Sequence, residues 1–374
     1  MSDAARYRPW LLLLRTPGLG PAGLREQLAA HHGDAAAVWE ALRARAASLP
    51  EPARHWLQRP DERRLAADQA WLEAPDHRLL VCTDEDFPPL LEAIAQPPAA
   101  LFVAGQASLL LQPQVAIVGA RAASLGGRGH ARAFATALGL AGFVIVSGMA
   151  DGIDGAAHLG ALDAGLPTVA VIGTGADRVY PRKHHELARR IAAQGALVSE
   201  FPPGTPARAD HFPRRNRLLA GLALGTLVIE AGLQSGSLIT ARLAVESGRE
   251  VFALPGSIHN PLAQGCHRLI RDGARLVETA SEMVEVLTPG AIALGRELAC
   301  RLDTLVTPAC PQDADTDTAS EALLGLLGDS LMTLDELASV TGQPVATLSS
   351  MLLMLELAGK VETLPGNRYQ RLHG

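Results

Sequence analysis

Short apolar runs recur through the middle of the chain, at Val115–Val118, Phe143–Val146, Thr168–Ile172, Thr226–Ile229 and Val251–Leu254. Each is followed by glycine, serine or proline and, in most cases, by a helical pattern. Apolar runs without polar alternation predict strands buried on both faces, and such strands alternating with helices predict a doubly wound, mostly parallel α/β sheet. The pattern holds from residue 78 to residue 289. Ahead of it, residues 1–77 read as short helices, with Pro17–Pro21 a tight turn before a helix over 22–30. That turn has the form of a helix-hairpin-helix, whose amides can contact a phosphate, but the acidic balance of the region favours a plain helical bundle. Residues 290–319 lose the pattern, and 312–320 are polar and acidic, which predicts a linker. Residues 320–374 carry three helical patterns and a hairpin. Thr333–Glu336 has the spacing of a capping box, 342–344 forms a turn, 345–358 a third helix, and two strands flank 365–367. A helix-turn-helix followed by a hairpin predicts a winged helix.

Composition narrows the function classes. The chain has 374 residues, 48% hydrophobic and 19% charged, enough for about two or three domains with cores of their own. The apolar run Trp10–Leu14 is too short for a signal peptide and is followed by Arg15. No segment approaches a membrane span, so the expected compartment is the cytosol. Cys82, Cys266, Cys300 and Cys310 form no CxxC pair, and His184-His185 lacks a Cys or acidic partner at ligand spacing. No metal is expected. Aromatic residues, at 4%, are too few for a broad base-stacking platform. The net charge of −6 is unevenly spread. Residues 1–109 hold 11 Lys+Arg against 14 Asp+Glu, residues 110–280 hold 17 against 12, and residues 281–374 hold 5 against 13. An acidic chain with a basic middle points to a polyanion partner for that middle.

The candidate chemistry lies after the strands, where ligands of such sheets bind. Arg214, Arg215, Asn216 and Arg217 stand just before the fourth of these runs, and Ser235-Gly236-Ser237 follows it as a loop entering a helix. Guanidinium groups suit phosphate because their planar fork donates paired hydrogen bonds. Gly119 and Arg121 follow the first run in a glycine-rich loop that opens a helix N-terminus. Ser147-Gly148 follows the second, and Arg182-Lys183 lies beyond the third, whereas Arg189-Arg190 reads as a solvated helix face. A dinucleotide cofactor is disfavoured: the spacing is not GxGxxG, and Val146-Ser147-Gly148 stands where a ribose-binding acid is expected. Asp151, Asp154 and His158 invite a hydrolase reading. The two acids suit a helix start, however, no base-activated serine is evident, and GxSxG is absent.

Seven ordered segments closely resemble the DprA/Smf family of DNA-processing proteins: VAIVGARAAS (115–124), VSGMADGIDGAAHLGAL (146–162), VIGTGADRVYP (171–181), SEFPPG (199–204), FPRRNRLLAGL (212–222), EAGLQSGSLITARLA (230–244) and GCHRLIRDGA (265–274). The resemblance implies an extended Rossmann-like domain between an N-terminal SAM- or helix-hairpin-helix-like domain and a C-terminal winged helix. It implies a homodimer, formed through the Rossmann-like domain, without catalytic activity or cofactor. Such a protein binds and shields incoming single-stranded DNA and loads RecA onto it during natural transformation, with single-strand binding protein as a further partner. Carried over by motif, Arg121 and the basic residue after Tyr180-Pro181 are DNA contacts, and Arg215-Asn216-Arg217 belongs to the same set. His267, Ile270 and Leu276 mark the self-association and RecA-facing surface. Two positions depart from the family pattern: Asp151, where many relatives have arginine, and His184, often asparagine.

Two other classes remain to be weighed. A nucleotide hydrolase of the lysine-decarboxylase-like or phosphoribohydrolase type shares the architecture, but shows PGGxGTxxE where this chain reads EAGLQSGSLIT, with Glu230 on the strand side. A transcription regulator would use the winged helix, yet its third helix offers Thr347, Ser349 and Ser350 without Arg or Lys, and 320–374 holds three basic groups against six acidic ones. A recognition helix without cations lacks the phosphate attraction behind most non-specific affinity. That module is expected to contact mainly protein.

Overall fold

The computed structural model describes residues 3–303 and, beyond them, 323–324, 327, 332–341, 348, 352, 355, 361–364 and 368–371. Two compact units divide the chain, residues 1–303 and 304–374. In the first, nine strands form one sheet: β1 His77–Val81, β2 Ala100–Gly105, β3 Gln114–Gly119, β4 Val144–Ser147, β5 Thr168–Ile172, β6 Ala196–Ser199, β7 Gly225–Ile229, β8 Glu250–Ala253 and β9 Arg275–Leu276. Their spatial order is β1-β2-β6-β5-β4-β3-β7-β8-β9. Neighbours from β6 to β9 run parallel, whereas β1 and β2 extend the sheet antiparallel. The five strands expected from the apolar runs are β3, β4, β5, β7 and β8, which are adjacent in the sheet and covered on both faces; β2 and β6 are equally buried.

Five helices precede the sheet: α1 Asp3–Leu14, α2 Pro21–Ala30, α3 Ala35–Ala44, α4 Glu51–Gln58 and α5 Glu62–Leu72. Their apolar faces share one core with Leu79, Val81 and Phe102 of β1 and β2. The Trp10–Leu14 run is thus core, with Leu11 and Leu13 fully buried. Farther on come α6 Pro89–Glu92, α7 Leu125–Leu140, α8 Ile153–Asp163, α9 His185–Gln194, α10 His211–Leu222, α11 Gly236–Glu246, α12 Gln264–Arg271 and α13 Ala280–Asp303. α7, α8 and α13 cover one sheet face around Ile117, Ile145 and Leu227. α10 and α11 cover the other around Val118, Val146 and Val228.

The expected linker at 290–319 is corrected in its first half, since α13 runs unbroken to Asp303 through Pro289. Met283, Leu287, Ala291 and Leu294 keep an apolar stripe at helical spacing, and Met283 and Leu287 pack into the core beside α7. This stripe outweighs the hydrogen bond that proline forfeits. Residues 304–319 lie outside the described residues.

In the second unit Thr333 and Glu336 form the expected capping box, with Thr333 N–H donating to Glu336 Oε2 (2.7 Å) and Glu336 N–H to Thr333 Oγ1 (3.3 Å). It opens the helix Leu334–Thr341. Strands β10 Met332–Thr333, β11 Val361–Leu364 and β12 Arg368–Arg371 pair in the order β10-β12-β11. Leu327, Leu337, Leu348, Leu352 and Val361 share one core. The turn at 342–344, Thr347, Ser349 and Ser350 lie outside the described residues.

α8 is buried on nearly every side and carries His158, whose Nδ1 sits 2.8 Å from Thr168 Oγ1. That hydroxyl donates to Ile145 O (2.7 Å), so His158 Nδ1 is the donor to it. Burial, then the neighbouring His184 and Arg215, pushes the imidazole pKa down to about 3. The folded value lies below the unfolded value of about 6.5, so the unfolded chain binds the extra proton. The stability that His158 contributes is therefore full above pH of about 6.5 and is lost progressively down to about 3, on the order of 5 kcal/mol in all. Urea midpoints of wild type and His158→Gln, compared at neutral pH and near pH 4, should converge as pH falls. A pH-independent difference would refute the buried neutral imidazole.

Candidate nucleic-acid interface

The strand order reverses at β3, which has β4 on one side and β7 on the other. Chains leaving the carboxyl ends of strands at such a switch point diverge and leave a crevice. Here a cavity of about 710 Å³ opens between the loop after β3 and the loop after β7.

Close backbone approach sets its edge. Gly119 lies opposite Ile229 in the β3–β7 register, and a Cβ there would run into the Ile229 carbonyl and the Ile153 side chain. Ala120 N–H donates to Glu230 O (2.6 Å). The Glu230 carboxylate reaches back across the loop and accepts from Ser124 N–H (2.8 Å) and Ser124 Oγ (2.5 Å). Ser124 Oγ in turn caps α7 by accepting from Gly127 N–H (2.9 Å). Glu230 is thus spent on pinning the loop that presents Arg121. On the facing side Ser235 caps α11, accepting from Ser237 N–H (3.3 Å), so Ser235, Gly236 and Ser237 bring a helix N-terminus with its partial positive charge to the cavity.

The floor is a buried arginine beside a buried carboxylate. Arg215 donates through Nη1 to Val171 O, and its guanidinium packs against Gly148, where a Cβ would collide with it. Burial pulls its pKa down to about 10, against the opposing pull of the Asp154 carboxylate, so it stays charged at neutral pH. Asp154 accepts from Ala150 N–H (3.3 Å); burial raises its pKa, and Arg215 works against that rise. At the rim, exposed Arg121 sits over the Phe212 ring, 5.9 Å from its centroid, with no ion-pair partner among the described residues. Asn216, Arg208 and the half-exposed Tyr180 complete the lining. Asp154 is the one carboxylate among the described lining residues.

Of the residues singled out in the sequence, Gly119, Arg121, Arg215, Asn216, Ser235, Gly236 and Ser237 come together around this cavity. Ser147 does not: it is fully buried, and its hydroxyl donates to Ile117 O (2.6 Å), tying β4 to β3. Gly148 lies behind Arg215. Arg217 is buried, ion-paired with Glu200, and away from the cavity wall. Arg182 and Lys183 occupy an exposed turn outside the lining, and Lys183 Nζ is held by Asp151 Oδ1 at 2.9 Å. The same oxygen lies 3.2 Å from His184 Nε2, so the two positions that depart from the family pattern touch each other. Asp151 precedes α8 and Asp154 lies in its first turn, as the spacing suggested. His267 Nε2 sits 3.0 Å from Gly256 O, Ile270 packs on the core from α12, and Leu276 is half-exposed on the edge strand β9. Among the described residues no group of His, Cys, Asp or Glu is placed to hold a metal ion. No described helix is long and apolar enough to cross a membrane.

Sequence reasoning missed Arg208, Phe212 and Tyr180 as lining residues. Arg208 had a readable signal, a lone cation in the small-residue stretch PPGTPARAD after β6. Phe212 and Tyr180 had none, because their approach depends on how α10 and the turn after β5 are placed.

This architecture defines an extended Rossmann-like α/β protein with a cationic cavity at its switch point, followed in the chain by a winged helix. Residues 78–288 match the family described as DNA recombination-mediator protein A, and residues 307–367 match the DprA winged helix domain. Protein Smf of Escherichia coli strain K12 is 44% identical over 310 residues, 81% of this chain and 79% of that one. DNA processing protein DprA of Streptococcus pneumoniae is 45% identical over 201 residues, 54% of this chain and 71% of that one. The X-ray structure of DprA from Streptococcus pneumoniae superposes with a TM-score of 0.64 at 35% identity, over 76% of this chain and 98% of that one. DNA processing protein A from Helicobacter pylori, solved for its single-stranded DNA binding mode, gives a TM-score of 0.52 at 28% identity, over 57% of this chain and 97% of that one. The chain belongs to the DprA/Smf family of DNA-processing proteins.

Proposed function

We propose that the chain binds single-stranded DNA without sequence preference, by its phosphates, in the switch-point cavity, and passes the strand to RecA for recombination. The observation that carries this reading is the convergence of Arg121, without an ion-pair partner among the described residues, buried Arg215 and the α11 N-terminus on one cavity with a single carboxylate among its described lining residues. Phosphate rewards fork-shaped donors and a helix N-terminus together. The Helicobacter pylori relative binds single-stranded DNA, and the matching family is described as a recombination mediator, which supports a hand-over to RecA in the cytosol. Shielding follows from the same geometry, since a phosphate seated in a cavity is removed from nucleases. The role is binding rather than catalysis: Glu230 is occupied within the loop, and Asp154 faces Arg215 rather than a nucleophile. Leu276 on the edge strand, with Ile270 and His267 on α12, forms the surface for a second copy and for RecA, since an open sheet edge is a ready pairing site.

Gel shifts with single- and double-stranded oligonucleotides across a salt series, repeated with RecA and single-strand binding protein present, test this. The expected result is preference for the single strand, a log–log salt slope of about −0.7 per neutralised phosphate, and faster RecA assembly on coated strands. Binding insensitive to salt, or equal for both DNA forms, would overturn it.

A further inference from the structure

A second cavity, about 780 Å³, lies where the N-terminal helices meet the sheet domain. Thr16 and Pro17 from the α1–α2 turn, Arg64 and Trp71 from α5, and Arg208 and Arg214 from beyond β6 line it. Its walls are locked. Arg15 holds Asp68 through Nε and Nη2 (2.5 and 2.6 Å) and donates from Nη2 to Pro203 O (2.8 Å), joining α1, α5 and the segment after β6. Gly204 N–H donates to Asp177 Oδ1 (2.7 Å), which engages one oxygen of the acid lining the cleft. A cleft held this way adds little ordering cost to binding.

Arg208 lines this cleft and the switch-point cavity alike, so the two are continuous along one cationic side chain. Arg64 and Arg208 are exposed, and their carboxylate partners, Asp61 at 3.3 Å and Asp210 at 3.2 Å, are equally in water. Ion pairs of that kind are worth little and exchange readily for a phosphate. Trp71, stacked on His77 with centroids 4.1 Å apart, is partly exposed toward the cleft. Cations beside an aromatic ring are the pairing that a single strand needs, charge for its backbone and a ring for a base.

We propose that this cleft is a second subsite for the same single strand, drawing a phosphate to Arg64 and Arg208 and a base to Trp71, so that the N-terminal helices are part of the nucleic-acid interface. The proposal rests on the switch-point cavity holding the first part of the strand. It gives the α1–α2 turn a place beside the strand, as one wall of the cleft.

The test uses the full chain with oligo-dT of about 3 nucleotides, chosen to occupy the first cavity alone, and of about 20, lengths that bracket single-strand site sizes of about 4–16 nucleotides. Arg64→Gln should bind the longer strand about fivefold more weakly at 0.1 M salt, with a slope shallower by about 0.7, and the shorter one unchanged. Photo-crosslinking of a 5-iodouracil strand to the wild-type protein should mark Trp71, a readout independent of any variant's folding. Unchanged binding of both lengths by Arg64→Gln, while Arg121→Glu weakens both, sinks the second subsite and leaves the first reading standing; so do crosslinks confined to Tyr180. The reverse pattern sinks the first reading and leaves the cleft as the binding site.

Discussion

Glu200→Ala should destabilise the first unit by about 3–5 kcal/mol, because it strands a charge that the fold has already taken out of water. Glu200 is buried and accepts from Arg217 Nη2 through one oxygen, while its other oxygen lies 3.3 Å from Arg214 Nε. Arg217 is buried as well; burial pulls its pKa down, and the Glu200 carboxylate is what resists that pull. Remove the carboxylate and Arg217, which keeps its charge, must drag water inward or swing out of the core. A loss of this size is a large share of a typical total stability of about 5–15 kcal/mol. The check is the shift in urea midpoint followed by far-UV circular dichroism. Replacing both partners by apolar side chains, as in Glu200→Leu with Arg217→Met, should recover most of the loss, since the cost comes from the unpaired charge rather than from the lost contact. A single Glu200→Ala variant within about 0.5 kcal/mol of wild type would show that the pair is hydrated in solution.

Arg121→Glu should weaken single-stranded DNA binding by about 10- to 100-fold with no loss of stability. A charge-assisted hydrogen bond is worth about 1.5–3 kcal/mol, and the substitution adds repulsion at the cavity mouth. Arg121 is exposed and holds no carboxylate among the described residues, so its charge is available to a ligand and dispensable to the fold. Lys183→Glu serves as a comparison: Lys183 already faces Asp151 and lies outside the lining, so its effect should be much smaller. Fluorescence anisotropy with labelled oligo-dT at fixed salt separates the two. Equal losses from both variants would mean that a diffuse basic surface, rather than this cavity, holds the strand.

The site was partly legible because its two loops follow strands whose apolar runs are unmistakable. Gly119, Arg121 and Ser235–Ser237 could be placed at carboxyl ends of strands from the pattern alone, and an α/β sheet brings such ends together. The helix α13 shows the opposite case. The α/β pattern fades after residue 289, and only packing of the stripe from Met283 to Leu294 carries the helix onward through Pro289. Arg208 stands out in the sequence as a lone cation in a small-residue stretch, but that stretch has no period of its own to say which way the side chain points.

The cluster at 214–217 marks the division most sharply. By itself the sequence determined that three arginines and an asparagine sit in the chain's one net-basic region, next to a buried strand. The structure places them on the helix α10, in which residues 214 and 217 share a side and 215 points elsewhere. What the sequence could not say is what each side meets. The tertiary structure sets Glu200 opposite 214 and 217, turning Arg217 into a buried structural ion, and it sets Asp154 and the cavity opposite 215. One motif thereby does two jobs, and the deciding factor is where the carboxylates of distant segments come to rest. A buried guanidinium beside a paired carboxylate holds the fold, whereas one at a cavity floor or an unpaired one at its rim remains able to meet a phosphate.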